Sequence, residues 1–219
     1  MPKLAFFDLD GTLVSSNVVS QYLWFARHHP GSRWLWRYAR AAAAIPRWLA
    51  LEKRSRLEFN RDFFREYAGL RFDWMRDHAP RLCDEVLKPA TFPGARDLVA
   101  RTRAEGFRTI LVSGSLDFAI EPFWRGLGFD EAVANRLEFA NGAATGRLLE
   151  PILAEEEKVS AMRRLCAAHG ADPAECRAFS DSLSDLPMLE AVGHPSATNP
   201  DKRLRPVATE RGWPILDLR

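Results

Sequence analysis

The hydrophobic pattern divides the chain into two unlike parts. After residue 90, short apolar runs alternate with amphipathic stretches, and this alternation predicts an open, mostly parallel α/β sheet. Residues 15–88 show little strand-like alternation and long helical periodicity, which predicts helices. We therefore predict an α/β core made of residues 1–14 and 89–219, with a helical insertion at residues 15–88.

Several shorter patterns predict individual elements of the core. Apolar runs that begin at Leu4, Thr109 and Arg177 predict three strands. Amphipathic stretches followed by glycine predict three helices, which are Pro93–Glu105, a segment from after Ser115 to Leu127, and Lys158–His169. The Asn141-Gly142 pair between residues 136–140 and 145–148 predicts a small β-hairpin, because both residues tolerate the positive φ angles of a tight turn.

The insertion contains two predicted helices. In the first, apolar residues recur at steps of three and four, so they share one face, which we expect to pack toward a core. Those residues are Leu35, Tyr38, Ala42, Ile45 and Leu49, and the opposite face carries Arg33, Arg37, Arg40 and Arg47. Pro46 is expected to kink or end this helix. The second helix is predicted over Leu51–Tyr67, with Gly69 as its stop.

Charge and tryptophan are concentrated in the insertion. The chain of 219 residues has a formal net charge of +2, but residues 15–88 hold 14 Lys and Arg against 8 Asp and Glu, and five of the seven tryptophans. One interpretation is that the tryptophans pack a small bundle while the arginines face solvent. The other is a basic, aromatic surface that contacts an anionic membrane peripherally or admits a substrate with an apolar tail. No nucleic acid partner is expected, because the basic residues form no compact run.

The cysteines and the first residues predict a cytoplasmic protein. Cys83, Cys166 and Cys176 are odd in number and lack C-x-x-C spacing, so neither a disulfide framework nor a zinc site is indicated. The first predicted strand follows Met1 so closely that a cleavable signal segment has no room. No uncharged apolar stretch reaches the roughly 18 residues of a membrane span.

Asp8 and Asp10 are the most informative residues for chemistry. Alternation along a strand places both side chains on one side, and Gly11 then allows a tight turn. Two like charges buried together are costly unless a cation or a proton lies between them. The alternative is that both aspartates cap the segment that follows.

Three more polar groups follow in order along the chain. Ser113-Gly114-Ser115 ends the second predicted strand, Lys158 begins a predicted helix, and Asp181 and Asp185 follow the third strand. Each group alone is common in turns and caps. Together they fall at strand ends or at a helix start, which is where ligands bind in open α/β sheets.

These four motifs, in this order, resemble the signature of the haloacid dehalogenase-like hydrolases. Most members are magnesium-dependent phosphatases that act through an aspartyl-phosphate. The resemblance implies a Rossmann-like sheet with helices on both faces, and a helical cap inserted after the first strand, as in subfamily IB, the phosphoserine-phosphatase-like group. It therefore implies hydrolysis of a small phosphomonoester with Mg²⁺ as cofactor.

The resemblance also implies a role for each motif. Asp8 is the expected nucleophile, and Asp10 is the expected acid and later base. Phosphate is expected to be bound by Thr12, Ser113, Gly114 and Lys158. Magnesium is expected to be held by Asp8, the main-chain carbonyl of Asp10 and Asp181, with Asp185 bound directly or one contact removed.

Two departures from the subgroup concern the substrate. Phosphoserine phosphatases of this group place a glutamate seven residues after the second catalytic aspartate, where it holds the amino group of the substrate, but this chain has Asn17 there. Their second motif commonly reads Ser-Gly-Gly, and Ser115 replaces its last glycine. Phosphoserine phosphatase itself remains one alternative, and a phosphatase or phosphotransferase acting on a lipid head-group phosphate is another.

Overall fold

A computed structural model describes residues 2–30 and 33–219. The strands are β1 (Lys3–Phe7), β2 (Phe107–Leu116), β3 (Glu131–Asn135), β4 (Leu137–Ala140), β5 (Ala143–Leu148), β6 (Arg177–Ser180), β7 (His194–Thr198) and β8 (Ile215–Leu216). The α-helices are α1 (Val18–His28), α2 (Trp34–Arg54), α3 (Arg56–Phe63), α4 (Phe72–Leu82), α5 (Ala95–Ala104), α6 (Asp117–Leu127), α7 (Glu156–His169), α8 (Leu186–Glu190) and α9 (Leu204–Glu210). Short 3-10 segments cover Phe64–Tyr67, Pro173–Glu175 and Leu183–Asp185, and a π-helical turn covers Cys83–Leu87.

The sheet places β1 at its centre. Six strands pair in the order β3-β2-β1-β6-β7-β8, and all of these pairings are parallel. Along β1, Leu4 and Phe6 pack into the core that contains α7, whereas Ala5 and Phe7 pack into the core that contains α5 and α6. Because both faces are covered, the strand is a continuous apolar run. The predicted α/β sheet with helices on both faces is confirmed.

The predicted hairpin is also confirmed. Strands β4 and β5 pair antiparallel around Asn141 and Gly142, whose φ angles are +50° and +74°. The helices α1 to α4 lie between β1 and β2 in the chain and share a core with α6 and this hairpin. The division into residues 1–14, 15–88 and 89–219 stays a prediction, and Met1 lies outside the described residues.

The boundary between the first two predicted helices of the insertion was wrong. Helix α2 continues through Pro46 to Arg54. The break comes at Ser55, whose side chain accepts a hydrogen bond from the amide of Glu58 and so caps α3. A capping serine thus sets the boundary, while the helix tolerates the single backbone donor that proline removes.

The predicted buried face of α2 was wrong as well. Ala41, Ala44 and Trp48 are the residues of α2 that are buried. Leu35 and Leu49, which were expected inside, are 66% and 58% exposed. Small alanines allow the helix backbone to approach its neighbours closely, so the larger apolar residues on the adjacent side stay at the surface.

The arginines of α2 are not simply a solvated face. Arg37 donates hydrogen bonds to the main-chain carbonyls of Glu66 and Ala68, at 2.8 and 3.0 Å. Arg40 pairs with the Glu66 carboxylate, and Arg47 pairs with Asp62 at 2.8 Å. These contacts fix α2 to the segment that follows it, because they satisfy carbonyl groups left free at a helix end.

The tryptophans follow neither interpretation completely. Trp24 and Trp48 are buried, at 7% and 3% exposure, whereas Trp34 and Trp36 are exposed. None of the helices in the described part of the chain is both long enough and apolar enough to cross a bilayer.

Candidate active site

Three neighbouring strands deliver the predicted motifs to one edge of the sheet. Strand β1 leads into Asp8, β6 leads into Asp181, and β2 contains Ser113 near its end. The strands are adjacent and parallel, in the order β2-β1-β6, so their carboxyl ends meet. The β2 strand runs on through Leu116 with an irregular register after Ser113, rather than ending in a free loop as expected.

A buried ion cluster lies at this edge. The Lys158 ammonium group donates to Asp8 Oδ1 and to Asp185 Oδ2, both at 2.7 Å. Ser180 Oγ also donates to Asp185 Oδ2, at 2.8 Å. Lys158, Asp8 and Asp185 are each at most 6% exposed. The structure therefore brings the first, third and fourth predicted motifs into direct contact.

The Thr12 hydroxyl lies between Asp8, which follows β1, and Asp181, which follows β6. Its hydroxyl lies 2.9 Å from Asp181 Oδ1 and 3.2 Å from Asp8 Oδ2. A Cβ atom on Gly11 would lie 2.2 Å from Asp181 Oδ2, and Gly11 has a φ of +90°. Glycine is required here, because both the backbone conformation and the approach of Asp181 exclude a side chain.

Two residues outside the predicted catalytic and phosphate-binding set hold Asp10. Ser115 Oγ donates to Asp10 Oδ2 at 2.9 Å. Gln21 Nε2 donates to Ser115 Oγ at 3.0 Å and lies 3.5 Å from Asp10 Oδ1. Ser115 is the residue that departs from Ser-Gly-Gly, and its hydroxyl is the feature of the sequence that indicates a polar partner in place of a glycine. Gln21 gave no signal, since it lies on an ordinary helical stretch.

The cluster carries more negative than positive charge. Burial raises the pKa of Asp8, and the Asp185 charge adds to this while Lys158 opposes it. Burial and the Asp8 charge raise the pKa of Asp10 to about 7 and that of Asp181 to about 8. Burial alone would lower the pKa of Lys158, but the two carboxylates beside it raise the pKa above its ordinary value. The positive charge of one ammonium group thus offsets only part of the negative charge of the neighbouring carboxylates.

These residues fit a magnesium ion. No group of three His, Cys, Asp or Glu side chains suited to a metal occurs in residues 2–30 and 33–219. Magnesium does not need three such side chains, since it usually binds one or two protein carboxylates and completes its octahedral coordination with other oxygen atoms. Asp8 and Asp181 supply two carboxylates that both lie within hydrogen-bond distance of the Thr12 hydroxyl. Burial and the Asp8 charge raise the pKa of Asp181, and a cation bound between the two carboxylates would offset both effects.

A cavity of about 380 Å³ opens onto the cluster. Its polar wall contains Asp8, Asp10, Gly114, Lys158, Asp181 and Asp185. The other wall comes from the helices and is largely apolar, with Val18, Val19, Ile45, Trp48, Leu49 and Phe59. Thr12 and Ser113 lie behind the polar wall, at 0% and 1% exposure, and Ser113 Oγ accepts from the amide of Ser115 at 3.0 Å.

Two charged residues of the helices also border the cavity. Glu52 and Arg56 pair with each other, and the Arg56 guanidinium lies 4.8 Å from the centre of the Phe59 ring. The Arg56 amide donates to Glu155 Oε1 at 2.7 Å, and Ser55 Oγ donates to Glu155 Oε2 at 3.3 Å. Glu155, with a φ of +49°, immediately precedes α7. No pattern in the sequence predicts the contacts of Glu155 with Ser55 and Arg56.

Asn17 has a structural task. Its side-chain oxygen accepts hydrogen bonds from the amides of Val19 and Ser20, both at 3.1 Å, and so caps α1. The Ser20 hydroxyl in turn lies 3.1 Å from the Asn17 amide, which completes a capping box. Position 17 therefore serves a helix start, and it presents no carboxylate to the cavity that it borders.

Comparisons with known proteins agree with this fold. Residues 5–190 match the haloacid dehalogenase-like hydrolase family model. A Mycobacterium tuberculosis protein named "Probable phosphatase" is 36% identical over 162 residues, which cover 67% of this chain and 56% of that relative. A Streptomyces azureus protein named for inhibition of morphological differentiation is 32% identical over 219 residues, covering 98% of this chain and 78% of its own length.

Solved structures give the same picture. A Bordetella pertussis protein of unknown function superimposes with a TM-score of 0.84 at 28% identity, with both chains covered completely. A phosphoserine phosphatase, solved as an analogue of its phospho-aspartyl intermediate, superimposes with a TM-score of 0.72 at 21% identity, covering 100% of this chain and 94% of its own. At that identity, the second likeness shows the fold alone.

Proposed function

Because the chain belongs to the haloacid dehalogenase-like hydrolases, we propose that it is a magnesium-dependent phosphatase that hydrolyses a phosphomonoester through an aspartyl-phosphate on Asp8. The observation that carries the proposal is the convergence of Asp8, Lys158 and Asp185 within hydrogen-bond distance at the floor of one cavity. The chain spans 56% of the length of the M. tuberculosis phosphatase-named relative, so its activity as a whole protein is part of the proposal.

Asp8 and Asp10 divide the chemistry. In the first step, an Asp8 carboxylate oxygen forms a bond to phosphorus while the bond from phosphorus to the alcohol oxygen breaks, and Asp10 gives that oxygen a proton. In the second step, Asp10 takes a proton from water, which attacks phosphorus and releases inorganic phosphate and the Asp8 carboxylate. Ser115 and Gln21 orient Asp10 for both transfers.

The remaining residues of the cluster bind the phosphate group or the metal and neutralise the charge of the phosphate. Lys158 stabilises charge on the phosphate oxygens, together with Gly114 and the main-chain amides of the first turn. Asp8, Asp181 and the Asp10 carbonyl would hold magnesium, which supplies positive charge to the phosphate when bound. We propose that Asp185 positions Lys158, which it contacts at 2.7 Å, and that it does not bind the metal directly. Thr12 orients Asp8 and Asp181 through its hydroxyl.

The helical insertion sets the substrate. Residues 15–88 act as a cap over residues 1–14 and 89–219, since Val19, Ile45 and Leu49 face the carboxylates across the cavity. An apolar wall favours a leaving alcohol with an apolar portion. Phosphoserine is a poorer candidate, because Asn17 is engaged in capping α1.

A substrate panel tests the proposed function. We expect hydrolysis of p-nitrophenyl phosphate and of alkyl phosphates that requires Mg²⁺, stops with a chelator and returns when Mg²⁺ is restored. Phosphoserine should be a weaker substrate than alkyl phosphates of similar size that lack the ammonium group. Phosphate release and product analysis, with added alcohols as acceptors, separate hydrolysis from phosphotransfer. Phosphatase activity that does not depend on Mg²⁺ would contradict the proposal.

The Ser115→Ala variant tests the role of Asp10 as an acid, because its effect on kcat/KM should depend on whether the leaving group needs a proton. We expect kcat/KM to fall about tenfold or more for an alkyl phosphate, whose departing oxygen needs a proton. The same variant should change kcat/KM little for p-nitrophenyl phosphate, which departs without one. Ser160→Ala, which removes a hydroxyl bonded within α7, is the matched control. Equal losses for both substrates would contradict a role in orienting Asp10.

A further inference from the structure

Helix α2 exposes an unusual amount of large apolar surface. Trp34, Leu35, Trp36, Ile45 and Leu49 are 42%, 66%, 57%, 48% and 58% exposed. The other large apolar side chains exposed to this degree in the described chain are Leu149 and Ile215, at 40% and 36%. Single exposed apolar residues are ordinary, but several on one helix mark a contact surface.

Four of these side chains form a stripe along the helix. At about 100° per residue, Trp34, Leu35, Ile45 and Leu49 fall within about 100° of the helix circumference. We call these four residues the apolar stripe. Ile45 and Leu49, at one end, also line the active-site cavity. Trp36 lies on another side of the same helix end, so the helix start is aromatic on two sides.

The charges near the stripe are mostly positive. Residues 33–54 contain six lysines and arginines and one acidic residue, Glu52, which pairs with Arg56. Arg37, Arg40 and Arg47 lie on the other side of α2 and contact the protein, although the side chains of Arg40 and Arg47 remain 42% and 59% exposed. Arg33 and Lys53 are exposed at the two ends of α2 and have no ion-pair partner in residues 2–30 and 33–219. The helix therefore presents apolar and cationic groups together.

An anionic lipid bilayer fits this combination better than a folded partner. The stripe and the alanines beside it offer apolar area, and the uncharged polar group within the same arc, the Tyr38 hydroxyl, already donates to the main-chain carbonyl of Leu23. This surface therefore provides few directional contacts for a protein. Tryptophan is suited to the membrane interface, and flanking arginine or lysine is attracted by anionic headgroups. We propose that α2 lies on an anionic membrane surface, with the apolar stripe in the headgroup region. This places the mouth of the cavity at the lipid surface.

Vesicle binding by the full chain tests the docking surface. We expect co-sedimentation with vesicles of phosphatidylcholine and phosphatidylglycerol, weaker binding to phosphatidylcholine alone, and release at high salt. The variant W34S/L35S/W36S should bind at least about tenfold more weakly, because its apolar insertion is lost. The matched control is L149S/I215S, which removes exposed apolar groups outside α2 and should bind like the parent.

The substituted residues lie outside the cavity wall, so activity on a soluble phosphomonoester reports that the variants are folded. Binding to anionic vesicles that is unaffected by W34S/L35S/W36S would overturn the proposal, as would an absence of binding. A dimer in sedimentation that the same variant dissociates would also overturn it, because a second copy would then cover the stripe. Vesicle binding without phosphatase activity would support this surface and contradict the proposed chemistry.

Discussion

Asp8→Asn is expected to abolish phosphatase activity, with a loss in kcat of about 10³-fold or more. The amide cannot attack phosphorus as a carboxylate does, but it has the same shape and can still accept the hydrogen bond from Lys158. The variant should therefore fold normally. Activity is measured with p-nitrophenyl phosphate and Mg²⁺, and folding by thermal unfolding. Asp77→Asn makes the same chemical change on an exposed aspartate paired with Arg76 and serves as the matched control.

The proposed covalent intermediate provides a second measurement that tests Asp8. With Asp10→Asn, attack by Asp8 on a substrate with a good leaving group is retained while water is no longer activated, so a phosphorylated protein should accumulate. Intact-mass measurement after rapid quenching should detect one phosphoryl group on this variant and none on Asp8→Asn. A phosphorylated Asp8→Asn protein, or an Asp8→Asn enzyme of full activity, would contradict Asp8 as the nucleophile.

Lys158→Met should lower both stability and activity. The substitution leaves Asp8 and Asp185 buried without their shared cation, and removal of one partner from such a cluster costs about 3–5 kcal/mol. The free energy of unfolding is measured by denaturant titration at neutral pH. We also expect kcat/KM to fall at least about 10²-fold, because the phosphate loses a charged donor. Lys202→Met, at an exposed position, controls for loss of a lysine.

A double variant separates the two effects of Lys158. Adding Asp185→Asn removes one of the two stranded carboxylates, so part of the lost stability should return. Activity should stay low, because no cation has been restored to the phosphate site. Recovery of activity together with stability would indicate that Lys158 matters only for folding, and unchanged stability in Lys158→Met would contradict the buried ion cluster.

The positions of Asp8, Lys158 and Asp181 were predictable because local patterns set them. Each follows a buried apolar run or begins an amphipathic helix, and parallel strands bring such ends together. The family prediction is confirmed by the family match over residues 5–190. The hairpin was equally local, since Asn141-Gly142 specifies its own turn.

The surface of α2 was not predictable in the same way. Periodicity marks apolar residues, but it does not say which side of an alanine-rich helix meets a neighbour. Here Ala44 and Trp48 are buried, and the leucines beside them are exposed. Contacts between distant segments, such as Gln21 with Ser115 or Arg56 with Glu155, leave no periodic trace at all.

Glu155 connects two helices that border the cavity. Its carboxylate holds the first amide of α3, and its backbone leads directly into α7, which carries Lys158. Arg56 and Lys158 both border the cavity, so a substitution of this single carboxylate would disturb the attachment of two helices that line it.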